Sequence, residues 1–239
     1  MIEKILPSRV AVAEAFSDLP DAALLPGEEE LTRGFVEKRL REFATARHCA
    51  RRALGSLGIA PVPILKGERG APLWPEDTVG SLTHCTGYRA AVVARRTEVL
   101  TVGIDAEGHA PLPGDVHNNI ALVTEQRRER ELRLAHPGIH WDRLLFSAKE
   151  AVYKAWFPLT HRWLGFEEAD IELRLDGSFT AELLLSDPEP GTGTGESAVP
   201  TGFHGRWLAE GGLVLTAIVV ENTPGTVRGT DGTLHGTGS

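Results

Sequence analysis

The chain has 239 residues, enough to bury a core and suited to one large or two small domains. A formal net charge of -8 excludes a general nucleic-acid binder, which needs a net basic surface, so any phosphate site must be a local basic pocket. Cys49 and Cys85 fit neither a disulfide framework nor a metal motif, and with no signal-peptide core and no membrane-spanning apolar run the expected location is the reducing cytoplasm.

In chain order, Leu6 to Ala15 has strand character, with Val10 and Val12 alternating, and Pro20 to Glu30 is acidic and rich in turn residues. A helix is predicted over 36–57, where Val36, Leu40, Phe43, Ala50, Leu54 and Leu57 form an apolar stripe closed by Gly58. Arg39, Arg41, Arg47, Arg51 and Arg52 occupy its remaining positions. Strands are predicted at 78–84, 89–95 and 99–105. A loop containing Pro111, Pro113 and Gly114 leads to an Arg/Glu-rich helix near 124–135, which His136-Pro137-Gly138 breaks before a second long helix around Glu150. Two hairpins follow, one turning at Asp176-Gly177 and one at Gly211-Gly212. Between them, 187–200 reads as a mobile loop, and the Gly/Thr-rich tail 221–239 as disordered. Each half thus offers a long helix and antiparallel strands, which periodicity alone supports as an α+β class. The division expected is 1–105 for the N-terminal lobe and 106–220 for the C-terminal lobe.

Two stretches carry the chemistry. In Val102-Gly103-Ile104-Asp105-Ala106-Glu107 a buried strand ends on two carboxylates that its period of two places on one face. They repel each other unless a cation sits between them. In Phe146-Ser147-Ala148-Lys149-Glu150-Ala151-Val152-Tyr153-Lys154-Ala155-Trp156, Glu150 and Lys154 share a helical face, so Glu150 can supply a third oxygen to the same cation. Hard divalent ions prefer such oxygen ligands, and magnesium fills its remaining positions with water and substrate phosphate. Taken singly, Asp-Ala-Glu is more often a solvated strand end, and Lys-Glu-x-x-x-Lys an exposed helical face. Their conjunction inside apolar sequence, where unpaired carboxylates are costly to desolvate, favours the metal site of Asp105, Glu107 and Glu150.

With Gly80-Ser81-Leu82-Thr83-His84-Cys85 and Gly67-Glu68-Arg69-Gly70-Ala71-Pro72-Leu73-Trp74-Pro75 upstream, these blocks occur in an order that resembles the 4'-phosphopantetheinyl transferases. The likeness runs from about Phe35 to Val220 and is nearer the monomeric, two-lobed surfactin-synthetase-activating and enterobactin types than the short trimeric type. Lys66 to His84, Arg47-His48-Cys49-Ala50-Arg51 and Trp163-Leu164-Gly165-Phe166-Glu167 resemble actinobacterial members that serve fatty-acid, polyketide and siderophore synthases.

The resemblance implies two similar lobes related by a pseudo-twofold, each a long helix on an antiparallel sheet, with the active site in the cleft between them. It implies transfer of the phosphopantetheine arm of coenzyme A, the co-substrate, to a serine of an acyl or peptidyl carrier protein, leaving adenosine 3',5'-bisphosphate. Magnesium, or manganese, on Asp105, Glu107 and Glu150 would contact the pyrophosphate, which Lys154 would also reach. The serine proton would go to Glu150, directly or through a metal-bound water, or to Lys154. Glu150 is favoured, because a lysine beside three carboxylates and a diphosphate stays protonated. Arg47, Arg69 and His84 stand at matching positions for the 3'-phosphate of the coenzyme, and Lys149 is a further phosphate candidate. The tryptophans are read as core or interface residues, and the run Arg127-Arg128-Glu129-Arg130-Glu131 as a solvated helix face whose arginines can steer acidic carriers. Two rival readings remain: a magnesium-dependent nucleotide pyrophosphatase, which could use the same three carboxylates with water as nucleophile, and an inactive carrier-binding protein, for which intact Asp105, Glu107, Glu150 and Lys154 are unexpected.

Overall fold

Two strands that are apolar on both faces organise the protein, whose computed structural model describes residues 1–185 and 200–222. The first half supplies β1 (Ala11–Ala15), α1 (Glu37–Ser56), β2 (Thr78–Cys85) and β3 (Tyr88–Arg95). The second supplies β4 (Val99–Gly108), α2 (Gly114–Ile120), α3 (Val123–Ala135), α4 (Trp141–Thr160), β5 (Ala169–Leu173), β6 (Ser178–Leu183), β7 (Gly202–Glu210) and β8 (Leu213–Glu221). All strand pairs are antiparallel, in one sheet ordered β1-β3-β2 and another ordered β4-β8-β7-β6-β5. The protein is therefore α+β, with a twenty-residue helix on each sheet.

Period-two alternation sets the layers. Along β3, Ala91 and Val93 pack with Cys49, Ala50, Ala53 and Leu54 of α1, while Ala90, Val92 and Ala94 turn toward the second sheet. Along β8, Leu213, Leu215 and Ala217 meet that face, and Val214 and Ile218 pack with the Leu144, Ala148, Val152 and Ala155 side of α4. The two sheets thus share a central apolar layer, with α1 and α4 outside it. Burial on both faces is why β3 and β8 read as nearly continuous apolar runs.

β4 pairs with β8, so by hydrogen bonding the strand that spans the 105/106 division belongs to the second sheet. Its other edge faces β2, the edge of the first sheet. The two edges are joined by side chains: the Ser81 hydroxyl accepts the Ile104 N–H at 3.1 Å, and the Thr83 hydroxyl accepts the Ala106 N–H at 3.0 Å. The N–H groups of an edge strand buried against a neighbour need partners, and these hydroxyls provide them.

The chain start departs from its expected strand. Ile2–Ile5 is a single 3-10 turn that buries Ile2 and Ile5, and Val10 N–H closes a further turn on the Pro7 carbonyl, so β1 begins only at Ala11. The expected loop at 111–114 is followed by α2, which starts directly after Pro113, a place where proline costs no hydrogen bond. Asp176-Gly177 and Gly211-Gly212 form the turns of the two hairpins, with Gly177 and Gly212 at φ +81° and +78°. Most of the expected loop 187–200, and the tail from 223, lie outside the described residues. No helix among the described residues is long and apolar enough to cross a membrane.

Helix α4 crosses β4 at Gly103. A Cβ there would lie 2.1 Å from the Ala151 carbonyl oxygen and 2.7 Å from the Ala155 nitrogen, both backbone atoms. Thr101, two residues earlier on the same face, donates to the Ala155 carbonyl at 2.8 Å. Gly103→Ala must therefore push the helix outward. Overpacking of this kind costs about 1–3 kcal/mol or more, so thermal unfolding should show a clearly lowered midpoint.

Candidate active site

On the α4-facing side of β4 come Thr101, Gly103, Asp105 and Glu107 in alternation. Asp105 is buried at 4 % exposure and pairs in register with Thr216, whose hydroxyl is bonded to Ser147 of α4. Its Oδ1 accepts from Lys154 Nζ at 2.7 Å and from the Thr83 hydroxyl at 3.2 Å. Its Oδ2 is buried and has no hydrogen-bond partner among the described residues. A buried carboxylate oxygen without a donor is costly, and a bound ion or water is what would satisfy it.

Glu107 is half-buried, and its Oε2 accepts from Arg143 Nη1 at 3.1 Å. Arg143 is fixed in turn by the Ala110 and Pro111 carbonyls, each at 3.1 Å. Burial raises the pKa of Glu107, the charge of Asp105 adds to the effect, and Arg143 opposes it. Burial likewise raises the pKa of Glu150, with Lys154 opposing and Asp105 reinforcing the shift. Glu150 makes no side-chain hydrogen bond among the described residues. Asp105 thus acts electrostatically on both glutamates. Yet among the described residues no three His, Cys, Asp or Glu side chains stand close enough to enclose a metal ion. Lys154 and Arg143 neutralise Asp105 and Glu107 instead.

On the other side of Thr83 lies a cationic group. His84, the next residue of β2, contacts Arg39 Nη1 through Nε2 at 2.6 Å. The Arg47 guanidinium is buried 3.9 Å over the Phe43 ring, with its Nε donating to the Ile64 carbonyl at 3.2 Å. Lys66 Nζ stands 5.4 Å from the Phe43 ring and 5.5 Å from Phe35. Burial and then the Arg47 and Arg39 charges lower the pKa of Lys66, and burial followed by a partly compensated set of neighbours brings Arg47 down to about 10. His84 reaches the surface, but the protein around its ring, and then Arg39, hold its pKa below the ordinary histidine value. Such crowding of like charge is relieved by an anion.

Arg47 and His84 are linked through Arg39, which contacts His84 and whose charge acts on Arg47, and Arg69 stands apart from the group. It sits at φ +51° with its guanidinium 5.3 Å from the Trp163 ring, and its charge reaches Tyr153 instead. Trp163 is 60 % exposed, which corrects its reading as a core or interface residue, whereas Trp141, Trp156 and Trp207 are buried. Beside Glu150, the side chains of Tyr153, Trp163, Leu164 and Phe166 line a largely apolar cavity of about 250 Å³. A larger polar cavity of about 330 Å³ lies between Arg128, Asp170 and the β6–β7 strands and contains none of these groups, so chemistry and not volume places the site.

Lys149 is a correction. Its ammonium is buried and bonds Glu125 Oε2 at 2.9 Å, the Phe166 carbonyl at 2.7 Å and the Ala169 carbonyl at 2.8 Å, which uses all three donors and leaves none for phosphate. Glu125 in turn accepts the Ile171 and Leu122 N–H groups, each at 2.7 Å. One residue of helical rotation, 100°, carries Lys149 into the core while Glu150 faces the cleft. Arg128 is likewise committed, to Asp170 and the Ile171 carbonyl, leaving Arg127 and Arg130 exposed. Sequence reasoning missed Arg143, Arg39 and Lys66. Arg143 was legible as the residue one heptad before Glu150 on the Lys154 face of α4, whereas Arg39 and Lys66 had no local signal to separate them from solvated cations.

The charge distribution suits an anionic ligand, and sequence similarity identifies the kind of protein. Residues 27–94 match the 4'-phosphopantetheinyl transferase N-terminal domain, and residues 101–199 match the 4'-phosphopantetheinyl transferase superfamily. The chain is 50 % identical to the 4'-phosphopantetheinyl transferase PptT of Mycobacterium tuberculosis, over 92 % of this chain and 98 % of that one. It is 49 % identical to the 4'-phosphopantetheinyl transferase Svp of Streptomyces mobaraensis, over 95 % and 92 %. A more distant relative, enterobactin synthase component D of Salmonella typhi, is 32 % identical over 63 % and 62 %. The chain belongs to the 4'-phosphopantetheinyl transferase superfamily.

The Lys149 geometry yields a stability prediction. Lys149→Met leaves the Glu125 carboxylate buried without its counter-charge, which should cost about 3–5 kcal/mol in urea unfolding. The Kd of the folded fraction for coenzyme A should stay unchanged; a weakened Kd at full stability would return Lys149 to phosphate binding.

Proposed function

We propose that the protein transfers the 4'-phosphopantetheine arm of coenzyme A to a serine of apo acyl or peptidyl carrier proteins and releases adenosine 3',5'-bisphosphate. The observation that carries this reading is the juxtaposition at Thr83 and His84: an acidic site whose Asp105 Oδ2 has no partner among the described residues on one side, a cation cluster on the other. A coenzyme laid across them would put its 3'-phosphate on Arg47, His84, Arg39 and Lys66 and its pyrophosphate near Lys154. Its arm would run toward the apolar cavity at Tyr153 and Trp163.

Asp105 Oδ2, Glu107 and Glu150 offer only hard anionic oxygens, the donor chemistry that magnesium or manganese takes, and the three side chains would have to draw together from the positions they hold here to enclose such an ion. When bound, such an ion polarises phosphoryl oxygens and neutralises charge on the departing nucleotide. The remaining work falls to side chains. Lys154, bonded to Asp105 Oδ1 at 2.7 Å, pairs with the pyrophosphate. Glu150, with no hydrogen-bond partner among the described residues and a pKa raised by burial, accepts the serine proton. Arg143 holds Glu107 in place. The protein acts as a monomer in the cytoplasm, where its two free thiols, Cys49 and Cys85, persist, and the exposed Arg127 and Arg130 suit an acidic carrier.

Incubation with coenzyme A, magnesium and several apo carrier proteins, followed by intact-mass measurement, should show one arm added per carrier serine. Asp105→Ala should lower kcat by roughly 100-fold or more. Free phosphopantetheine released without a carrier would mark a pyrophosphatase instead. Metal binding has an independent readout. Magnesium at about 100 times its Kd should stabilise the protein by about 2.7 kcal/mol in thermal unfolding, and Asp105→Asn should remove that increment; equal increments in both proteins would take Asp105 out of the metal site.

A further inference from the structure

Glu28 lies outside every block that carries the chemistry, in the turn-rich segment before α1, yet its side chain is fully buried, at 0 % exposure. A carboxylate in that position must be matched by donors, and four contacts supply them. Its Oε1 accepts the Ile64 N–H at 2.8 Å and Arg51 Nη1 at 2.9 Å; its Oε2 accepts the Leu25 N–H at 2.8 Å and Arg51 Nη1 at 3.0 Å. The Ile64 residue that Glu28 holds by its amide holds Arg47 by its carbonyl, at 3.2 Å from Arg47 Nε. Ile64 is itself wholly buried, so amide and carbonyl are set together by one rigid residue.

The Arg47 guanidinium is thereby fixed on two sides, by the Phe43 ring beneath it and by Ile64 at Nε, and its two terminal nitrogens make no hydrogen bond among the described residues. Glu28 also supplies the carboxylate charge that works against desolvation at Arg47. We infer that Glu28 is a positioning residue: through Ile64 it orients Arg47 toward the 3'-phosphate of coenzyme A and so sets the preference for that coenzyme over one lacking the phosphate. The inference rests on the assignment of Arg47 as a 3'-phosphate ligand. It assigns a ligand-selecting task to a residue that touches no ligand.

The test compares calorimetric binding of coenzyme A and dephospho-coenzyme A, with transfer kinetics alongside, for wild type, Glu28→Gln and Arg47→Gln. Glu28→Gln should weaken coenzyme A by about tenfold and dephospho-coenzyme A by less than about twofold, with kcat at saturation kept within about twofold. Binding stoichiometry counts the folded fraction, so partial unfolding does not imitate this pattern. Equal weakening of both ligands, or of neither, overturns the proposal. If Arg47→Gln keeps the full preference for coenzyme A, the underlying assignment of Arg47 fails; if Arg47→Gln loses the preference and Glu28→Gln keeps it, only the positioning role fails. Should Glu28→Gln not fold, Glu28→Asp serves, since its shorter carboxylate cannot keep both Ile64 and Leu25. An intermediate loss of preference is then expected, and an unchanged preference refutes the role.

Discussion

Two edge strands meet at the centre of this protein without a backbone ladder, and the hydroxyls of Ser81 and Thr83 make the junction possible. The Ile104 and Ala106 N–H groups of β4 would otherwise be buried without acceptors, a cost of about 1–3 kcal/mol each. A hydroxyl differs from a backbone carbonyl in having a proton of its own to give. Thr83 spends that proton on Asp105, so the bond that joins the two sheets also orients the first carboxylate of the site. His84, one residue further, faces the cation group of the first half. Acidic and basic halves of the site are therefore consecutive residues of one strand away from each other.

Electrostatics explains why the site is built at the seam and not inside either half. Asp105, Glu107 and Glu150 are all removed partly or wholly from water, and the raised pKa values of the two glutamates record what that burial costs the charged forms. Lys154 and Arg143, both from α4, offset the cost without satisfying Asp105 Oδ2. The cations of the first half repel one another in the same way, around Phe43 and Phe35. Each cluster is unfavourable alone: the carboxylates call for positive charge and the cations for an anion. Gly103 sets the geometry, since only the absence of a Cβ lets α4 approach β4 closely enough to bring Lys154 onto Asp105.

Much of this was legible from residue order. Alternation in 102–107 puts Asp105 and Glu107 on one face, helical spacing puts Glu150 and Lys154 on another, and turn glycines mark both late hairpins. Lys149 was illegible for a definite reason. Whether a lysine on an amphipathic helix is solvated or buried depends on what waits at its azimuth, and Glu125 with the Phe166 and Ala169 carbonyls lies far away in sequence. Arg69 stands apart from the cation group for a similar reason, because a left-handed residue in a tight turn aims its side chain by a backbone angle that composition does not encode. Arg39, Lys66 and Arg143 became visible only as partners of residues from other elements.

Local order in the chain determined the strand and helix carrying the carboxylates, and the succession of such segments determined the α+β class and the family, since spacing within a segment and the order of segments are both written in the sequence. Only the tertiary structure decided that β4 joins β8, that two hydroxyls bridge the sheets, and which cations face the cleft. The physical reason is that these depend on desolvation and on partners separated by long stretches of chain, and a charge acquires its role from the groups folding places around it.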